Sequence, residues 1–95
     1  MPNAAEEYRA GVEHSAAILR AAGFDLVPLA EPIHKAWDLF GVSPHGLILV
    51  NVVRGGWPEM LGLQSLGVPP RWPVQTARVI HRYVDKTPWP EVRVL

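Results

Sequence analysis

The residues whose types could carry chemistry cluster between Trp37 and Val53. WDLF holds one acid, Asp38, at the head of an apolar run. The run Leu47–Val53 holds one polar side chain, Asn51. On a strand, residues 51 and 53 point to the same side, so Asn51 and Val53 share a face. A buried amide at position 51 needs hydrogen-bonding partners. The plainer role for Asp38 is a strand-end carboxylate bonded to backbone amides or to Lys35. His34 and His45 flank the Asp38 strand. With Glu31 and Asp38 they offer imidazole and carboxylate donors suited to a transition metal. They lie in loops without a standard ligand spacing, so exposed loop histidines are the simpler reading. His81, in IHRYV beside Arg82, reads as part of a basic surface.

A second set of residues could bind rather than react. Arg54, Trp57, Arg71, Trp72, Arg78, Arg82, Lys86 and Trp89 interleave cations with aromatics in the second half of the chain. Such mixtures suit nucleic acid, with arginine on phosphate and tryptophan on bases. The competing reading is arginine packed on tryptophan within the fold or at a protein partner. Residues 1–51 carry six acids and three Lys/Arg, and residues 52–95 carry three acids and six Lys/Arg. The net charge is zero, which argues against a strong non-specific polyanion binder, yet the asymmetry permits a local basic face.

Several chemistries are excluded. The absence of cysteine removes disulfides, thiolate metal sites and a cysteine nucleophile. GVSPHG lacks the Lys-Ser/Thr of a phosphate loop. Ser15, Ser43 and Ser65 sit in no triad context. No apolar run approaches a membrane span and no signal pattern opens the chain, so a soluble cytoplasmic protein is expected.

The elements that must position these residues follow from the pattern. Ninety-five residues suit one small domain over 1–95. Residues 4–22 predict a helix whose buried stripe is Tyr8, Val12, Ser15, Leu19 and Ala22. Asn3 is its N-cap, with Glu6 in the capping-box position, and Gly23 is its stop. Gly11 weakens its middle. Phe24–Ala30 predicts a strand held at an edge by Pro28. Ala36–Val42 and Gly46–Val53 predict an antiparallel hairpin around SPHG, the second strand central because it is apolar on both faces. Pro58–Leu66 predicts a short helix, and GVPPRWP an extended connector. Gln75–Val84 and Glu91–Leu95 predict two further strands. The order is α-β-β-β-α-β-β, an α/β domain with a central mixed sheet flanked by helices.

That order, with EHSAAILRAAGF, WDLF, Asn51-Val52-Val53 and VIHRYVDKTPWPEVRVL, resembles the PD-(D/E)XK nuclease superfamily, close to its Holliday-junction-resolvase-like members. The resemblance covers most of the chain. It implies a restriction-endonuclease-like fold. It also implies a site built from Asp38, the acid Glu13 of the first helix, and a Glu-x-Lys whose positions are Asn51 and Val53. In active relatives the two acids hold Mg²⁺ or Mn²⁺ and the lysine helps activate the attacking water. Here Asn51 supplies only a neutral amide, a remnant of the site that the resemblance places beside Asp38 as its hydrogen-bonding partner, and Val53 no donor. Loss of a positioned acid–base group alone costs about 10²–10⁴ in rate. The expectation is therefore a nuclease-like domain without catalysis and without a cofactor. It would act as a nucleic-acid-binding or regulatory module, and the resemblance allows a homodimer. Two rivals are an active Mg- or Mn-dependent endonuclease with migrated ligands, and a protein-interaction module on the same fold.

Overall fold

The computed structural model describes residues 3–29, 37–57, 76–84 and 88–95. Among them are one helix, α1 (Ala4–Ala21), and the strands β1 (Asp25–Leu26), β2 (Leu39–Ser43), β3 (Gly46–Arg54), β4 (Thr76–Tyr83) and β5 (Glu91–Val94). The strands form a five-stranded sheet in the order β1-β2-β3-β4-β5. β3 and β4 run parallel, and every other neighbouring pair is antiparallel. The α/β class, the mixed sheet and the central place of β3 match the sequence expectation. The expected helix Pro58–Leu66 lies outside the described residues, as do Glu31, His34, Lys35, Arg71, Trp72 and Lys86.

Local chemistry sets the ends of α1. Asn3 accepts a hydrogen bond from the Glu6 amide at 2.8 Å, satisfying one of the amides that a helix start leaves open. At the other end Gly23 takes φ +95°. Its amide returns to the Arg20 carbonyl and that of Phe24 to the Leu19 carbonyl, both at 3.0 Å. This is the paired closure that a left-handed glycine permits. Residues buried on α1 are Gly11, Ser15, Ala16 and Leu19. The expected stripe keeps its direction: Ser15 and Leu19 are buried at its middle, Val12 packs against the core, and only its ends are exposed, Tyr8 at 46% and Ala22. Gly11 belongs to this face. A Cβ there would stand 3.3 Å from both the Tyr83 ring and the Val52 side chain, so glycine lets the helix settle close on β3 and β4.

α1 lies over β1, β2 and β3. Its face of the sheet holds Val50, Val52, Val79 and Tyr83, which with Leu19 form the core. Leu49 and Val50 are neighbours that point to opposite faces, and both are fully buried. β3 is thus buried on both sides, as its unbroken apolar run requires. Two strands are shorter than the sequence suggests. β1 pairs over Asp25–Leu26 and adds one bond from the Val27 amide to the Phe40 carbonyl before Pro28, which has no N–H. β2 begins at Leu39 rather than Ala36, and Asp38 is a bend. The hairpin pairs Ser43 with Gly46, leaving Pro44 and His45 as its loop.

Candidate functional site

Asp38 stands where β2 stops following β3. Leu39 pairs with Val50, yet the Asp38 amide also donates to the Val50 carbonyl, at 2.8 Å. Two residues of one chain segment thus face one residue of the other, the arrangement of a bulge. A bulge turns consecutive side chains toward the same side. The Asp38 carboxylate is accordingly directed to the α1 side, where one oxygen accepts from the Tyr8 hydroxyl. The other accepts from the Val52 amide at 2.6 Å, a donor that lies beyond the last β2 pairing. Burial pushes the carboxyl above its ordinary 3.8, and the Val52 amide partly offsets this. A cleft of about 470 Å³ opens beside it, lined by Tyr8, Leu26, Val27, Trp37 and Phe40 among others.

The expected meeting of Asp38 with Asn51 is not what the bulge produces. Asn51 lies between Val50 and Val52, both packed in the α1-side core, so its side chain points to the opposite face. Its Oδ1 is buried there, and Val53 shares that face. A single extra residue in a strand is enough to separate two side chains that regular pairing would bring together. Glu13 is also displaced from the expected site. It is exposed, and the α1 residue that reaches Asp38 is Tyr8. Asp38 therefore takes the plainer of its two sequence readings, a carboxylate bonded to a backbone amide. His45, also exposed, donates its backbone amide to Ser43 Oγ at 3.2 Å within the hairpin loop. Among the described residues no three His, Asp or Glu side chains are grouped to hold a metal ion.

A polar cluster that sequence spacing did not reveal lies between α1 and β4. Ser15 Oγ is 2.8 Å from His81 Nδ1 and 2.8 Å from Tyr83 Oη. Ser15 is fully buried and His81 is 4% exposed. His81 is thus an interior residue, not part of a basic surface. Burial lowers its pKa below the ordinary 6.5, and His14 lowers it further. Burial likewise raises that of Tyr83. A nucleophile must meet its substrate, and full burial of Ser15 assigns this cluster to holding helix and sheet together. The available sequence signal was alternation: His81 and Tyr83 share a strand face with Val79, and Ser15 shares the helix stripe with Leu19.

The cationic residues converge in part. Arg82 and Arg93 place their guanidinium carbons 4.8 and 4.1 Å from the Trp57 ring centroid. Arg82 also bonds the Gly55 carbonyl at 2.8 Å and pairs with Glu91 at 3.1 Å. Arg54 lies 3.8 Å from Glu7 of α1. Arg78, Arg82, Glu91 and Arg93 occupy the sheet face opposite α1, by their pairing with Leu49, Val53, Arg82 and Ile80. Arg93, which in the sequence is the cation two places after Glu91 and lies outside the expected cation–aromatic set, is therefore central to this corner. Trp57 is half-buried, with both guanidinium groups over its ring. Trp89 is 65% exposed and lies on the other side, its ring 5.3 Å from that of His14.

No family model matches this chain, and no curated protein or solved structure matches it either. No helix among the described residues is long and apolar enough to cross a membrane.

Proposed function

We propose that this chain is a non-cleaving nucleic-acid-binding module on a nuclease-like α/β scaffold. The observation that carries the reading is the corner at which Arg82 and Arg93 stack on one indole, Trp57. Stacking on an aromatic face fixes the guanidinium plane and leaves its edge N–H groups available to phosphate. Arg82 is tied to Glu91 and Gly55 and acts as the frame. Arg93 is exposed and is the phosphate contact. Trp57 serves the arginines and does not stack on bases, so binding should be insensitive to sequence.

Two features favour binding over cleavage. The three positions of the resemblance do not converge, since Asp38 is turned to α1 while Asn51 and Val53 face away from it. Both Asp38 oxygens are also already engaged. The pairing order supports the nuclease-like scaffold: an antiparallel β1-β2-β3 meander with β4 parallel to β3.

The test is fluorescence anisotropy with labelled single-stranded, duplex and four-way-junction DNA at low salt, with and without Mn²⁺. Binding should weaken steeply with salt. Arg93→Ala should weaken it for all substrates and reduce the salt slope by about 1. Absence of binding at low salt would overturn the reading. So would cleavage by the wild-type protein. Asn51→Glu with Val53→Lys should remain inert, because the added groups face away from Asp38.

A further inference from the structure

Among the described residues nothing pairs with the outer edge of β5, and that edge carries a pattern that fits itself. β5 ends the strand order, and all four of its residues are exposed. The Leu95 amide donates to the Arg78 carbonyl at 2.8 Å. Backbone groups alternate along an antiparallel strand, so Arg93 and Glu91 also turn theirs toward β4, while Val92 and Val94 turn theirs to the free edge. An exposed row of this kind is a template for another strand. Side chains alternate as well. Val92 and Val94, 57% and 71% exposed, share the face of their partners His81 and Val79. Glu91 and Arg93 share the opposite face.

We infer that two copies of this chain pair antiparallel through β5, with Val92 on the two-fold axis and Glu91 opposite the partner's Arg93. This inference shares Arg93 with the nucleic-acid reading, and its test is made without nucleic acid so that either can fail alone.

The register follows from symmetry and charge. A two-fold axis perpendicular to the joined sheet keeps each face on its own side, so paired residues must point the same way. Two registers engage the outward groups of Val92 and Val94. With the axis on Arg93, two arginines stand opposite each other, which is destabilising. With the axis on Val92, Glu91 meets the partner's Arg93 twice over. The existing Arg82–Glu91 pair then extends across the interface as an alternating row, Arg82, Glu91, the partner's Arg93. On the other face Val92 meets the partner's Val92 and covers part of the apolar surface that α1 leaves open. The Val92 amides and carbonyls bond reciprocally, and the Val94 amide reaches the partner's Pro90 carbonyl. Pro90 has no N–H, so this register asks nothing of it as a donor.

The experiment is light-scattering mass and sedimentation of the whole chain, without nucleic acid, for wild type, Glu91→Arg, Arg93→Glu and an equimolar mixture of the two variants. The wild type should show a concentration-dependent dimer. Each variant alone places like charges opposite each other and should fall to half that mass. In the mixture one strand carries two cations and its partner two anions, so opposite charges meet at both positions. The mixture should return to the dimer mass, which also shows that both variants fold. Amide exchange of the wild type gives an answer that needs no variant. Val92 and Val94 should be protected at high concentration and lose protection on dilution, while Leu95 stays protected. A wild-type monomer with unprotected Val92 and Val94 amides would overturn the inference and leave the edge to a strand from another protein. A dimer unchanged by Glu91→Arg, or folded variants that fail to recombine, would overturn it equally.

Discussion

Replacing Ser15 by alanine removes one oxygen atom and orphans two buried groups. In the native protein Ser15 Oγ bonds His81 Nδ1 and Tyr83 Oη, each at 2.8 Å, and all three residues are almost or wholly buried. A buried polar group left without a partner costs about 1–3 kcal/mol. Two such groups set the gross loss at roughly 2–6 kcal/mol, and the better helix propensity of alanine returns about 0.5 kcal/mol. The expected net loss is about 1.5–5.5 kcal/mol, a large part of the ~5–15 kcal/mol that holds a small domain folded. Urea unfolding followed by tryptophan fluorescence would measure it. A cycle with Tyr83→Phe makes the reasoning sharper. In the wild-type background Tyr83→Phe should cost about 1 kcal/mol, because Ser15 loses one of its two partners. In the Ser15→Ala background the same change deletes a hydroxyl that is already orphaned, so it should be neutral or stabilising. Additive losses, or a Ser15→Ala cost below about 0.5 kcal/mol, would show that the cluster does not hold α1 on β4.

Asp38→Ala should destabilise by about 1–3 kcal/mol, since the Val52 amide loses its acceptor. Asp38→Asn keeps an acceptor and removes the charge that burial disfavours, so it should cost clearly less at neutral pH; equal losses in urea titrations would refute this. His81 has a folded pKa below 6.5, so as pH falls through 6.5 the unfolded chain takes up a proton before the folded one does. This group therefore leaves stability flat above that pH and lowers it from there down to the folded pKa. Urea midpoints and the His81 ring proton shift would check the window, and an imidazole that titrates at or above 6.5 in the folded protein would contradict it.

Much of the fold was legible because it is written locally. The Asn3 cap, the Gly23 stop and the Pro44–His45 hairpin each act through their own backbone chemistry, and each does so in the structure. The central place of β3 was legible for a different reason. A strand apolar at every position but one can only be stable with both faces covered, and Leu49 and Val50 are fully buried. The site was less legible. Regular alternation puts Asp38 and Asn51 together, and alternation is the only rule a sequence offers for faces. One bulge at Asp38 reverses that outcome, and no residue type there announces it. Glu13 is turned outward by the same helical period that buries Ser15 and Leu19, and Tyr8 is the α1 residue that reaches Asp38.

The sequence by itself determined the α/β class, the first helix with its cap and stop, the hairpin and the central place of β3, since these depend on residues close together in the chain or on the apolar run of one strand. Only the tertiary structure decided which side chains meet. Ser15 found His81 and Tyr83, Trp57 found Arg82 and Arg93, and Asp38 found Tyr8. Each contact joins segments distant in the chain. Each depends on helix rotation, strand register or a local bulge, which are set by close packing of the whole core rather than by any one stretch of it.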